Sequence, residues 1–171
     1  MKITLFGGSG FVGGHVAEAL HDAGHRVRVF DLKPSVRLRP GQEMIRGDIL
    51  DEKAVARAVA GQDAVLNFGV FADIEAAQHQ PLETIRLNVL GNGVLLEACR
   101  RARVKRYLFA STMYVYGGMA SFYRASKLSC EAYIEAYQRI YGLPYTILRF
   151  GSLYGPRADE RNGLFGFLRQ A

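Results

Sequence analysis

The stretch Lys2-Ile3-Thr4-Leu5-Phe6-Gly7-Gly8-Ser9-Gly10-Phe11-Val12-Gly13 decides the fold of this chain. A run of β-strand character leads into a glycine-rich turn, and a helical pattern follows over about residues 11–23. Within the turn, Gly8-x-Gly10-x-x-Gly13 has the spacing of a dinucleotide-binding motif, because glycine permits a tight turn and a close approach to a pyrophosphate at the helix N-terminus. We expect this site to be formed by Gly7, Gly10, Phe11, Val12 and Gly13.

Strand-like runs alternate with helical patterns outward from this stretch. Further strands are predicted at residues 26–30, 43–46, 64–68, 106–110 and 145–150, and further helices at residues 51–60, 81–101, 122–141 and 163–171. Strands separated by helices of this length need right-handed crossovers, which place helices on both faces of a parallel sheet. The prediction is an α/β protein with a doubly wound parallel sheet, a Rossmann fold.

Composition narrows the function classes. Five of the basic residues behind the net charge of +6 lie in residues 100–106, at the end of a predicted helix, where cations complement the helix dipole and stay solvated. We therefore do not expect a nucleic-acid partner. Cys99 and Cys130 match neither a disulfide framework nor a zinc spacing, so we expect a reducing compartment and no metal site. With no membrane span or signal-peptide pattern, a cytoplasmic location and no membrane contact are expected.

Two aspartates follow predicted strands on the cofactor side. Asp31 stands where a carboxylate accepts hydrogen bonds from the adenosine ribose and repels a 2′-phosphate, which favours NAD over NADP; an ordinary turn aspartate is the alternative. Lys33 and Arg37, just downstream, would soften that preference. Asp48 and Ile49 follow the third strand and are also predicted to bind the cofactor. Asp48 either reaches the adenine or caps the next helix.

Tyr123 and Lys127 stand four residues apart in a predicted helix, so their side chains share one face. The preceding strand brings Ser111 and Thr112 to its carboxyl end, where open α/β sheets place ligand chemistry. A neighbouring ammonium favours the ionised form of a phenol, so we expect Lys127 to bring the pKa of Tyr123 towards neutrality and make it a general base. Thr112 would hydrogen-bond the same substrate oxygen.

Several motifs together resemble the NAD-dependent epimerase/dehydratase family of extended short-chain dehydrogenases, which includes UDP-galactose epimerase. They are Gly7-Gly8-Ser9-Gly10-Phe11-Val12-Gly13, Asn67-Phe68-Gly69, Asn88, Ser111-Thr112-Met113-Tyr114-Val115-Tyr116-Gly117, Tyr123-Arg124-Ala125-Ser126-Lys127 and Leu148-Arg149-Phe150-Gly151-Ser152-Leu153-Tyr154-Gly155-Pro156-Arg157.

The resemblance implies roles for individual residues. Thr112, Tyr123 and Lys127 would form the catalytic triad, and Lys127 would also hold the cofactor ribose. The cofactor-binding set implied in this way adds Phe68, Gly69, Asn88 and Phe150, together with Tyr123 and Lys127 themselves. Phe150 would lie beside the nicotinamide or the substrate, and Ser152 and Arg157 would contact the substrate.

The chain departs from the family in ways that bear on the substrate. Met113-Tyr114 replaces the Asp-Glu pair that sugar-nucleotide dehydratases use, so dehydration is not expected. The segment between Tyr116 and Tyr123 is short, which removes a loop that usually shapes the substrate pocket. Residues 1–156 are expected to form the dinucleotide-binding domain, and residues 157–171 to start a substrate-binding region that is otherwise missing.

Two hypotheses follow. The first is an NAD-dependent sugar-nucleotide epimerase or related oxidoreductase, which acts by hydride transfer at a carbinol carbon of a nucleotide sugar. The second is a non-catalytic NAD(P)-binding sensor or assembly module. The resemblance also implies a homodimer formed through the helices at 81–101 and 122–141, although the apolar Val94, Leu95, Ala132 and Ile134 could equally belong to the core.

Overall fold

The computed structural model describes residues 1–69, 71–118, 120–158, 165–166 and 169. Its six strands pair in parallel in the order β3-β2-β1-β4-β5-β6. The strands are β1 (Lys2–Phe6), β2 (Arg26–Asp31), β3 (Glu43–Arg46), β4 (Ala64–Asn67), β5 (Arg106–Thr112) and β6 (Tyr145–Phe150). The order reverses at β1, with β2 and β3 on one side and β4 to β6 on the other. The prediction of a doubly wound parallel sheet is confirmed.

Helices connect the strands. They are α1 (Phe11–Asp22), α2 (Glu52–Val59), α3 (Ile74–His79), α4 (Pro81–Thr84), a π-helix (Ile85–Leu90), α5 (Gly91–Arg101), a 3₁₀ turn (Met113–Tyr116) and α6 (Phe122–Tyr141). The left-handed Gly142, with φ of 71°, ends α6 as predicted. Only residues 165, 166 and 169 of the predicted final helix are described, so most of that prediction lies outside the described residues.

The predicted helix at residues 81–101 is not one regular α-helix. It contains the π-helix at Ile85–Leu90, which a sequence pattern of period 3.6 does not reveal. The short α3 was not predicted, because six residues are too few to display a helical periodicity. Its N-terminus is nevertheless capped by the side chain of Asp73, which accepts a hydrogen bond from the backbone N–H of Ala76.

The core lies on both faces of the sheet. One cluster joins α2, α5 and α6 to the sheet, and the other joins α1 to the opposite face. Leu95 and Ile134 are buried core residues, whereas Val94 is half-buried and Ala132 is exposed, which separates the apolar residues that the sequence left open. No helix in the described part of the chain is long and apolar enough to cross a membrane.

Candidate active site

The glycine-rich turn between β1 and α1 is packed against the end of β4. Gly7 has a φ of 78°, and a Cβ atom there would stand 2.5 Å from backbone atoms of Phe68 and Gly69. A Cβ atom on Gly13 would overlap the carbonyl oxygen of Gly7. The tight turn therefore depends on Gly7 rather than on Gly8, which lies against the side chains of Val29 and Leu5.

The N-terminus of α1 has the features of an anion site. Gly10 is the N-cap and has no side chain to accept from the first N–H groups, and the first turn contains no acidic residue. The N–H groups of Phe11, Val12 and Gly13 lie in that first turn, where an α-helix has no intrahelical acceptors for them. The glycine cradle and this helix end fit a dinucleotide pyrophosphate.

Asp31, the last residue of β2, is joined to the glycine-rich turn. Its carboxylate accepts hydrogen bonds from the backbone N–H of Ser9 at 2.9 Å and of Lys33 at 3.1 Å. The Ser9 hydroxyl donates to the carbonyl oxygen of Lys33 at 2.9 Å. The carboxylate thus lies at the end of β2 as predicted, and its own contacts order the turn.

Asp48 and Ile49 follow β3. Asp48 accepts a hydrogen bond from the backbone N–H of Leu50 at 2.9 Å, whereas Asp51 caps α2 by accepting from Lys53 and Ala54. The capping alternative for Asp48 is therefore wrong, since the carboxylate three residues later performs it. Ile49 packs against the core beside Gly91, where a Cβ atom would stand 2.9 Å from its side chain.

Hydrogen bonds of polar side chains fix the end of β4. The Asn67 side-chain oxygen accepts from the backbone N–H of Gly69 at 3.1 Å, and its Nδ2 donates to the Tyr107 hydroxyl oxygen at 3.0 Å. The ring of Phe68 lies 6.0 Å from the ring of Phe150 on β6. A continuous path of contacts therefore runs from the glycine-rich turn to the end of β6.

Asn88 lies in the π-helix and is fully buried. Its side-chain oxygen accepts from the backbone N–H of Phe71 at 2.7 Å, and its Nδ2 donates to the Phe71 carbonyl at 3.2 Å and to the Ser126 hydroxyl at 2.9 Å. Asn88, which was predicted to bind the cofactor, therefore connects the segment after β4 to α6 by hydrogen bonds.

Thr112, Tyr123 and Lys127 converge at the carboxyl end of β5. Thr112 is buried and shares a side-chain hydrogen bond with Tyr123. Lys127 Nζ lies 5.6 Å from the centre of the Tyr123 ring and donates a 2.6 Å hydrogen bond to the carbonyl oxygen of Ala110. The two side chains share one face of α6, as the spacing predicts.

The electrostatics of this pair differ from the prediction. Burial raises the pKa of Tyr123 above its ordinary value of 10.0, and the hydrogen bond with Thr112 opposes this only in part. Burial also lowers the pKa of Lys127 from 10.5 to about 8. The expected lowering of the phenol pKa is wrong for the protein alone, because burial of the hydroxyl is the largest effect and Tyr114 acts in the same direction, while Lys127 is not among the groups that shift this pKa.

Comparison with known proteins decides the family. The model of the NAD dependent epimerase/dehydratase family matches residues 3–171. This chain belongs to that family. Among curated family members, the dTDP-glucose 4,6-dehydratase of Streptomyces niveus is 30% identical, over 91% of this chain and 55% of its own length. A putative UDP-glucose 4-epimerase of Methanocaldococcus jannaschii is 29% identical, over 93% of this chain and 58% of its own length.

Solved structures of this family superpose closely. A Thermotoga maritima UDP-glucose 4-epimerase with UDP-glucose has a TM-score of 0.91 and 30% identity, covering 98% of this chain and 61% of the other. A Thermus thermophilus UDP-glucose 4-epimerase in complex with NAD has a TM-score of 0.85 and 33% identity, covering 94% and 58%. The chain thus spans little more than half the length of these epimerase/dehydratase relatives.

The two residues predicted to contact substrate differ in their surroundings. Ser152 is exposed after β6. Arg157, with a φ of 75°, forms an ion pair with Glu18 of α1 at 2.8 Å and a hydrogen bond with His15. In this member of the epimerase/dehydratase family the guanidinium therefore fastens the segment after β6 to α1.

Two side chains that support the site, Asn67 and Glu131, were not predicted from the sequence. Asn67 belongs to the Asn67-Phe68-Gly69 motif, and the position of Glu131 one helical turn after Lys127 is the only sequence signal that singles it out. Among the described residues, no group of three or more His, Cys, Asp and Glu side chains could hold a metal ion.

Proposed function

We propose that this chain is the NAD-binding and catalytic part of an enzyme that transfers hydride between NAD and a carbinol carbon of a nucleotide sugar. One observation carries the proposal. Gly7 contacts Phe68, the Phe68 ring lies 6.0 Å from the Phe150 ring, and Phe150 pairs in register with Thr112. The dinucleotide cradle and the catalytic triad thus belong to one continuous edge of the sheet.

Three features of the chain support NAD as the cofactor. The glycine cradle and the N-terminus of α1 suit the pyrophosphate. Asp31 suits the ribose hydroxyls and disfavours a 2′-phosphate. NADP is the weaker candidate for the same reason. Structures of UDP-glucose 4-epimerases from Brucella ovis and Thermus thermophilus contain NAD, which agrees with this assignment.

Thr112, Tyr123 and Lys127 would together transfer one proton from the substrate hydroxyl to Tyr123. When bound, the nicotinamide supplies the hydride acceptor and donor. Tyr123 accepts the proton of the substrate hydroxyl, and Thr112 hydrogen-bonds the same oxygen. The ammonium of Lys127 provides a positive charge beside Tyr123 and would donate a hydrogen bond to the cofactor ribose. The raised pKa of Tyr123 in the protein alone means that the assembled complex must favour the phenolate more strongly.

Nucleotide sugars are the proposed substrates because the named relatives act on UDP-glucose or dTDP-glucose. Phe150 would face the reacting part of the site, and Ser152 and Arg157 remain proposed substrate contacts. Met113 and Tyr114, both exposed, offer no acid-base pair after Thr112, which favours epimerisation or simple oxidation over dehydration.

We propose residues 1–156 as the dinucleotide-binding domain and residues 157–171 as the beginning of the substrate-binding region.

Calorimetric titration of the nucleotide-free chain with NAD and then NADP tests the cofactor assignment. We expect preferential binding of NAD. Binding of neither dinucleotide by the folded chain would refute the proposal.

UDP-glucose and dTDP-glucose then test the chemistry, with reduction of bound NAD followed at 340 nm. Tyr123→Phe should abolish the signal, whereas Tyr133→Phe, at an exposed tyrosine of the same helix, should keep it. An equal signal in the wild type and in Tyr123→Phe would contradict the proposed role of Tyr123.

We further propose a homodimer that pairs the two long helical segments of two copies. Large apolar side chains are exposed on both, among them Leu82, Ile85 and Leu90 on one and Ile140 on α6. Sedimentation equilibrium should show a dimer in the wild type and a monomer in Leu82→Glu. A monomeric wild type would contradict this assembly.

We also propose a cytoplasmic location. Cys99 and Cys130 are the only cysteines of the chain, and both are free and buried, as suits a reducing compartment. Localisation of a tagged chain tests this directly, and export to an oxidising compartment would contradict it.

A further inference from the structure

Glu131 continues the stripe that Tyr123 and Lys127 form along α6. Each of the three residues lies four positions after the previous one, so they occupy one face of the helix. The side chain of Glu131 is 7% exposed, although charged groups are seldom buried without partners. Its Oε1 accepts a hydrogen bond of 2.5 Å from the hydroxyl of Ser111, the residue directly before Thr112.

Arg149 of β6 completes the surroundings of this carboxylate. Its Nη2 and Nε donate to Oε2 and Oε1 of Glu131 at 2.8 and 3.1 Å, a two-point pairing that fixes the orientation of both groups. Arg149 also donates to the Tyr116 hydroxyl. Because Ser111 and Arg149 pair in register, the carboxylate of Glu131 joins α6 to both strands one step before Thr112 and Phe150.

The groups around Lys127 come from several elements. On α6 they are Tyr123, Cys130 and Glu131; β5 contributes the Ala110 carbonyl and the Phe109 ring, 4.8 Å from Nζ; and β6 contributes Arg149 behind Glu131. The π-helix contributes the backbone oxygen of Asn88, which accepts from the Cys130 thiol. Among the charged groups of this set, Glu131 is the anion, and its charge opposes the burial that lowers the pKa of Lys127.

We propose that Glu131 is a positioning residue of this site: its carboxylate, anchored by Arg149 and Ser111, holds α6 against the ends of β5 and β6 and stabilises the positive charge of Lys127. The inference rests on the proposed function, since it concerns how the same triad is arranged. It assigns Glu131 no contact with substrate or cofactor.

The test follows the titration of Lys127 itself in the protein without ligands. The chain has five lysines, so lysine labelled with ¹³C at Cε gives few NMR signals, and Lys127→Arg identifies the buried one. We expect Glu131→Gln, which keeps the side-chain shape and removes the charge, to lower the pKa of Lys127 by about 1. Glu135→Gln, one turn further along α6 at an exposed position, removes the same charge and should leave that pKa unchanged.

Arg149→Gln should change the pKa of Lys127 in the opposite direction. Without its guanidinium, the full charge of Glu131 acts on Lys127, and the pKa of Lys127 should rise. A residue that only supported the fold would not shift the titration in opposite directions in these two variants. An unchanged pKa in Glu131→Gln, or shifts of the same sign in both variants, would overturn the inference. If Glu131→Gln does not fold, the sign of the change in Arg149→Gln decides the outcome.

The proposed function and the role of Glu131 are tested by separate measurements. Failure of the wild-type chain to bind NAD would refute that function, whereas the lysine titration is measured without any dinucleotide. If both hold, Glu131→Gln should move the pH dependence of NAD reduction by UDP-glucose in the same direction as the Lys127 titration.

Discussion

The ammonium of Lys127 and the carbonyl oxygen of Ala110 lie 2.6 Å apart, in a buried hydrogen bond between α6 and β5. The lysine is 1% exposed, and its burial lowers its pKa to about 8. This contact holds the side chain at the sheet while its charge stands beside Tyr123. It also makes the stability of the protein depend on the protonation of one site residue.

The first prediction concerns the pH dependence of stability. Folded Lys127 has a pKa of about 8 and the ordinary value is 10.5, so between these values the unfolded chain binds more protons at this site. The contribution of Lys127 to the free energy of unfolding therefore rises as pH increases from about 8 to 10.5. In denaturant titrations, the wild type should gain stability relative to Lys127→Met across this window.

Lys53→Met is the matched control for that series, because Lys53 is exposed on α2. The difference in the free energy of unfolding between Lys53→Met and the wild type should stay constant over the same pH range. A parallel pH course of the wild type and Lys127→Met would contradict the burial of the charge.

The second prediction concerns the phenol of Tyr123. Because burial raises its pKa above 10.0, the hydroxyl should remain protonated at neutral pH in the protein without ligands. Labelling tyrosines with ¹³C at Cζ and assigning the signal with Tyr123→Phe measures this directly. A midpoint below 10.0 would show that Lys127 controls the titration after all.

The third prediction concerns the turn. Gly7→Ala would strain a left-handed backbone by about 1–2 kcal/mol and drive a methyl group into the backbone of Phe68 and Gly69. It should destabilise the chain by more than this amount and abolish NAD binding.

Gly24→Ala separates the two effects, because Gly24 has a φ of 80° and a Cβ atom added there would meet no neighbouring atom within 4 Å. We expect that variant to lose about 1–2 kcal/mol and still bind NAD. Equal losses in the two variants, measured by denaturant unfolding, would argue against the packing role of Gly7.

The fourth prediction concerns cofactor choice. Asp31→Asn removes the charge at the proposed ribose position, and a lost hydrogen bond to a charged group is worth about 1.5–3 kcal/mol. NAD affinity should therefore fall roughly tenfold to a hundredfold, with a smaller preference over NADP. Asp63→Asn, at the opposite edge of the sheet beside Lys105, should leave dinucleotide binding unchanged. A wild-type preference that survives in Asp31→Asn would leave Asp31 as a turn residue only.

Local patterns determined most of the architecture. The bounds of β3, β6 and α6 agree with those predicted, because residue periodicity and the flanking glycines act over a few neighbouring residues. The same holds for the glycine-rich turn, whose strand-turn-helix context is contiguous in sequence. The family was also accessible from its motifs.

Tertiary structure decided the environment of each site residue. Whether the pKa of Tyr123 lies above or below its ordinary value depends on how much solvent is excluded from its hydroxyl when α6 packs on the sheet, and no spacing within one helix contains that information. The side chain of Asn88 likewise hydrogen-bonds to Phe71 and Ser126, which are 17 and 38 positions away in sequence.

The same division explains Glu131. The sequence by itself determined that this residue lies on the face of α6 that carries Lys127. Only the tertiary structure decided that it meets Ser111 and Arg149, because those contacts require β5 and β6 to be adjacent in the sheet. Turn and helix chemistry is local and readable along the chain, whereas burial and charge pairing arise from elements that are distant in sequence.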